Sequence, residues 1–212
     1  MEEFLDLINS DLGRKVIAGV SQQTDTAPDK TASALSMVMP LIIGGMHKNM
    51  ATPKGAEGLL GSLSGKHDGS ILDDLSSLFK GGVDQSVIDD GARILGHVLG
   101  GKQQNIENVL SQKTGLDAST VSQIIKIAAP IIMGYLGRQQ RTRGVSNTGD
   151  LKGLLESVMG AQQSAAADQN LLEQLIDADG DGSIIDDIAG MALGSQQKKG
   201  GLGGLIGGLF DK

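Results

Sequence analysis

Apolar residues recur at Phe4, Leu5, Ile8, Leu12 and Val16, the spacing that puts them on one face of a helix over residues 4–20. A polar turn containing Pro28 follows over residues 22–30. Residues 31–50 are apolar nearly all round, with Leu35, Met37, Val38, Met39, Leu41, Ile42 and Ile43. A helix without a polar face belongs inside a core. Pro40 lies within it and predicts a kink, because proline lacks the ladder N–H and crowds the preceding turn. Pro53 and Gly55 break the chain, and a short helix over 57–63, a turn over 65–69 and a helix over 70–79 follow. The plan then recurs. Helices are expected over 87–99 and 106–111, separated by Gly100 and Gly101, and a buried helix with Pro130 inside it over 120–140. Helices over 151–159, 170–176 and 183–193 complete the pattern. No segment sustains the period-two alternation of a strand, so the expected class is all-α.

The recurrence extends to residue identities. Val20-Ser21-Gln22-Gln23-Thr24 resembles Leu110-Ser111-Gln112-Lys113-Thr114, a shift of 90 residues. The same shift carries Pro40-Leu41-Ile42-Ile43-Gly44 onto Pro130-Ile131-Ile132-Met133-Gly134. Further on, Asp68-Gly69-Ser70-Ile71-Leu72-Asp73-Asp74 matches Asp181-Gly182-Ser183-Ile184-Ile185-Asp186-Asp187 at a shift of 113. Two tandem copies of one small helical unit account for these matches in order, with 23 extra residues in the second copy between Gly134 and Asp181. The expected organisation is a first repeat over 1–83, a second over 84–195 and a Gly-rich tail over 196–212.

Composition narrows the chemistry. The aromatic residues are Phe4, Phe79, Tyr135 and Phe210, so the core must be aliphatic. A net charge of −7 argues against nucleic acid as a partner, since phosphates are repelled unless a local basic face overrides the field. There is no cysteine, which excludes disulfides, thiolate zinc sites and thiol catalysis. The acidic start Met1-Glu2-Glu3-Phe4 has no basic and apolar leader, and no apolar run approaches the ~20 residues of a membrane span. The expected compartment is the bacterial-type cytoplasm.

Ile94-Leu95-Gly96-His97-Val98-Leu99-Gly100-Gly101-Lys102, the segment 110–116, the Asp-Gly-Asp-Gly-Ser turn and the Gly-Leu-Gly-Gly-Leu-Ile-Gly-Gly tail together resemble the YidB-like bacterial family of unknown function. The resemblance implies an all-helical fold with a homeodomain-like helical arrangement. It implies no catalytic residue.

Four features carry candidate chemistry. The run Asp177-Ala178-Asp179-Gly180-Asp181-Gly182-Ser183 follows the opening of a calcium loop, with carboxylates at positions 1, 3 and 5, the turn glycine at 6 and a ligating carbonyl at 7. Position 12 is Ile188 instead of a bidentate acid, and Asp187 lies one residue early, so any calcium site is weak. Ser183 followed by Asp186 also reads as a helix cap, and Ser70 with Asp73 repeats that cap in the first copy. The segment 110–125, with Gly115 at a turn between helices, has the outline of a helix-turn-helix. Its second helix continues as Ile124, Ile125, Ile127, Ile131 and Ile132, which is core rather than a base-reading face. His47, His67 and His97 are scattered; His67 beside Asp68 reads as a turn residue, and no nucleophile–base pattern is visible. In the tail, Gly200, Gly204 and Gly208 recur every four residues and would make a smooth helical stripe for close packing. The reading is a non-enzymatic structural or interaction protein, self-associating through helix faces, with another copy or another protein as partner. A DNA-associated regulator and a weak calcium module are the alternatives.

Overall fold

The structure is a computed structural model and describes residues 10–160, all within one compact unit, Met1–Ala166. The expected start of the first helix, the helices over 170–176 and 183–193, the calcium-like run and the glycine tail lie outside the described residues. The described chain is all-α: α1 (Asp11–Gln23), α2 (Pro28–Asn49), α3 (Pro53–Ser64), α4 (Leu75–Phe79), α5 (Gln85–Val98), α6 (Gln103–Thr114), α7 (Ala118–Thr142) and α8 (Thr148–Gly160). Single 3-10 turns at Ser70–Leu72 and Gly100–Lys102 lead into α4 and α6.

Local chemistry sets the boundaries. Ser10 starts α1 by accepting from the Gly13 N–H at 3.0 Å. α2 and α3 begin earlier than the apolar pattern implies, at Pro28 and Pro53. Proline suits the first helical position, where its missing N–H would have had no partner. Thr52 caps α3 through the Gly55 N–H at 3.1 Å. The expected helix over 70–79 is instead a 3-10 turn and a separate five-residue helix. Ser70 and Asp73 do not cap it. Asp68 Oδ1 accepts from the Ser70 N–H at 3.0 Å, and Asp74 Oδ1 accepts from the Ser77 N–H at 2.9 Å. The carboxylate preceding each short turn satisfies its orphan donor, which leaves the serine hydroxyl unneeded.

α7 is the centre of the unit. It packs against α5 most extensively, and also against α1, α2, α3, α6, α8 and the turn at Ser70–Leu72. Ile124, Ile125, Ile127, Leu136 and Ala129 on it are essentially without solvent exposure. It is long and apolar enough to cross a membrane by length and composition, and 72% of its most apolar window is buried inside this fold.

The 90-residue shift also relates positions in space. Thr31, Ala34, Leu35, Val38, Met39, Leu41, Ile42, Ile43 and Met46 are the buried residues of α2, and each has a buried counterpart on α7: Val121, Ile124, Ile125, Ala128, Ala129, Ile131, Ile132, Met133 and Leu136. Pro40 and Pro130 both lie inside these helices. The preceding turns are alike too. Thr24 Oγ1 donates to Val20 O at 2.8 Å, and Thr114 Oγ1 to Leu110 O at 2.7 Å. Ser21 Oγ donates to Thr26 O, and Ser111 Oγ to Leu116 O. Asp25 and Gly115 take the same left-handed conformation, with φ of 49° and 65°. α3 packs on α7, and α8 packs on α2.

Candidate functional site

A polar constellation joins residues 64–73 to the C-terminal half of α7. Two glycines on α7 admit the loop. A Cβ at Gly137 would lie 1.8 Å from His67 O, and one at Gly134 would lie 2.4 Å from the Ile71 side chain. Gly69 turns the loop at φ 102°, where an L side chain is strained and would also meet Arg138 Cβ at 2.9 Å. Around this contact α7 presents polar side chains. Arg138 Nη2 donates to Gly69 O at 3.2 Å and pairs with Asp73. Arg141 lies 3.8 Å from Asp68. Hydrogen bonds from Ser70 and the neighbouring Arg141 guanidinium hold the exposed Asp68 carboxyl below its ordinary pKa. Gln140 is buried; its Nε2 donates to Ser64 Oγ at 2.7 Å and Val145 O at 3.2 Å, while its Oε1 has no protein donor.

His67 sits at the inner edge. It is 7% exposed, and its Nε2 is 3.6 Å from Asp90 Oδ2 on α5, which Lys66 also pairs. Burial lowers the His67 pKa, against the attraction of Asp90, and Lys66 lowers it further. His67 lies in the turn after α3, as expected, and its side chain is buried there. Its partner lies on another helix, 23 positions along the chain, and no local pattern signals it. The arrangement supplies an oriented imidazole and a carboxylate but places no nucleophile between them. It anchors the end of α3 to α5 and α7.

The other histidines separate. His47 on α2 lies 3.5 Å from Glu156 on α8 without hydrogen-bond geometry. His97 is exposed, and its carbonyl accepts from Asn49 Nδ2 at 2.6 Å. Among the described residues no group of three or more His, Asp or Glu converges on a metal position. Asp177, Asp179, Asp181, Ser183 and Asp187 lie outside them.

The helix-turn-helix outline at 110–125 is present as α6, the turn at Gly115 and α7. The leading end of α7 carries Asp117, whose carboxylate accepts from Ser119 Oγ, the Thr120 N–H and Thr120 Oγ1. These bonds hold it well below the usual carboxylate range, so a fixed negative charge stands where a recognition helix would meet phosphate.

One apolar cleft of about 40 Å³ opens between α1, α2 and α7. Leu12, Val16, Leu35, Met39, Ile131 and Tyr135 are among its walls. The lining of the cleft is apolar.

A family model described as a bacterial protein of unknown function, DUF937, matches residues 6–139. No curated protein and no solved structure matches the chain. The match covers well over half of the sequence, and the chain belongs to this bacterial family of unknown function.

Proposed function

We propose that the protein is a non-enzymatic structural or interaction protein, built as a tandem duplication and self-associating through helix faces. The observation that carries the reading is the packing of α3 on α7 and of α8 on α2, around two helices buried at nine matching positions. Two identical units that bury each other's apolar helices form such a body as a dimer, and fusion makes it one chain. Pro40 and Pro130 lie inside the two buried helices at positions related by the same shift of 90. The polar side chains support the same reading. Arg138, Gln140, Lys66 and His67 are engaged in tying the 64–73 loop to its neighbouring helices.

Self-association beyond the fused unit draws on the glycine stripe of Gly200, Gly204 and Gly208, which would let a second chain approach closely. Light scattering of the full chain and of a chain ending at residue 199 tests this. The full chain is expected to exceed its monomer mass and the shortened chain to fall to it. Equal masses for the two would remove the tail from assembly.

A further inference from the structure

We propose that a second copy of the chain docks on the outer edge of α1, with Lys15 of each copy meeting Asp74 of the other across a two-fold axis beside Leu12. The inference rests on the self-association proposed above and supplies its contact face, which acts together with the glycine stripe. α1 buries only part of its apolar side. Leu12, Val16 and Ile17 are partly exposed, and so is Tyr135 on α7, which lines the same cleft. At about 40 Å³ that cleft is too small to seat a peptide, so the contact is surface against surface.

Beside the cleft, and sharing Leu12 and Leu72 with it, lies a notch of about 230 Å³. Its walls carry opposite charge, with Lys15 from α1 on one side and Asp73 and Asp74 on the other. Asp73 is already paired with Arg138. Asp74 is exposed and accepts from the Ser77 N–H at 2.9 Å, and the hydrogen bonds from Ser77 keep its carboxyl ionised. The exposed Lys15 ammonium makes no ion pair or hydrogen bond among the described residues. One notch therefore holds a cation without a partner and an anion bonded only within its own turn. A basic partner would be repelled by one wall and an acidic partner by the other. A chain carrying the same two charges matches both. Rotation about a two-fold axis beside the notch brings each Lys15 to the partner's Asp74 twice over, and sets Leu12 against Leu12. The result is an apolar centre with a charged rim, the ordinary anatomy of a protein interface.

The test is sedimentation equilibrium of the full-length wild type, of Lys15→Glu, of Asp74→Lys, and of an equimolar mixture of the two variants. Each variant alone sets like charges against each other twice across the axis, and its dissociation constant is expected at least ~tenfold above the wild type. In the mixture the two reversed positions face each other, and so do the two native ones. A one-to-one heterodimer as strong as the wild-type pair is expected, with native mass spectrometry identifying it. Circular dichroism checks the fold of each variant. Asp74→Asn keeps a capping side chain and replaces Asp74→Lys if that variant fails to fold, with a rise of a few-fold expected. Variants that associate like the wild type, or a mixture no stronger than its components, would overturn this face and leave self-association standing. A wild type at the monomer mass throughout would overturn the self-association reading and the face with it.

Discussion

Replacing Gly91 by alanine isolates the closest helix crossing in the unit. Gly91 lies on α5, buried against α7. A Cβ there would stand 1.8 Å from Lys126 O and 2.7 Å from Lys126 C. Ordinary carbon–oxygen contact is ~3.3–3.6 Å, so the helices must part by roughly 1.5 Å. The obstacle is backbone in the middle of a 25-residue helix, which cannot swing aside as a side-chain tip can. Overpacking of this kind costs ~1–3 kcal/mol, and an immovable neighbour puts Gly91→Ala at the upper end. Helix propensity works in the other direction, by up to ~1 kcal/mol for alanine over glycine. The net expectation is a loss of ~2 kcal/mol, a fall in melting temperature of about 4–8 °C for a chain of this size. Gly96 on the same helix supplies the control, because a Cβ there meets nothing within 4 Å. Gly96→Ala should gain up to ~1 kcal/mol from propensity alone. The assay is urea and thermal denaturation of both variants, followed at 222 nm by circular dichroism. If Gly91→Ala proves as stable as Gly96→Ala, α5 and α7 do not cross at Gly91 and the packing argument fails.

The matched turns predict opposite responses at equivalent positions: Asp25→Gly should stabilise by up to ~1 kcal/mol and Gly115→Ala should cost ~1 kcal/mol, since both sites are left-handed. Equal signs in denaturation midpoints would refute the equivalence. The His67 pKa is lowered in the folded state, so the folded chain takes up its proton at lower pH than the unfolded chain, which does so near ~6.5. Protons then favour unfolding: the stability present above ~6.5 is lost as pH falls through the folded value. Urea midpoints at pH 7.5 and 5.5 should therefore drop further for the wild type than for His67→Gln, and parallel drops would contradict the burial argument. Arg138→Ala removes a bond to a loop carbonyl and should cost ~1 kcal/mol, whereas Asp73→Asn, at an exposed pair, should cost a few tenths. Melting curves that rank Asp73→Asn above Arg138→Ala would show the ion pair, not the carbonyl contact, to be what holds the loop.

The helical class and the two buried helices were legible because all-round apolarity over 31–50 and 120–140 has one physical meaning. The resemblance to a bacterial family of unknown function agrees with the family match. Boundaries were less legible. Proline at the first helical position extends α2 and α3 beyond their apolar stretches, and Asp68 and Asp74 take over the donors that Ser70 was expected to cap for. The loop clamp was not legible. His67 with Asp90, and Gln140 with Ser64, meet through tertiary packing, and nothing in their local sequence differs from a solvated turn or an exposed helix end. Gly134 and Gly137 were visible as glycines, but their role depends on which backbone lies against them.

Self-association is the central functional claim, and the mass of the intact chain in solution tests it most directly. Multi-angle light scattering across a hundredfold concentration range should give at least twice the chain mass of 21.9 kDa at the upper end. A constant 21.9 kDa at every concentration would contradict the account and leave the fused pair of units as a self-contained monomer.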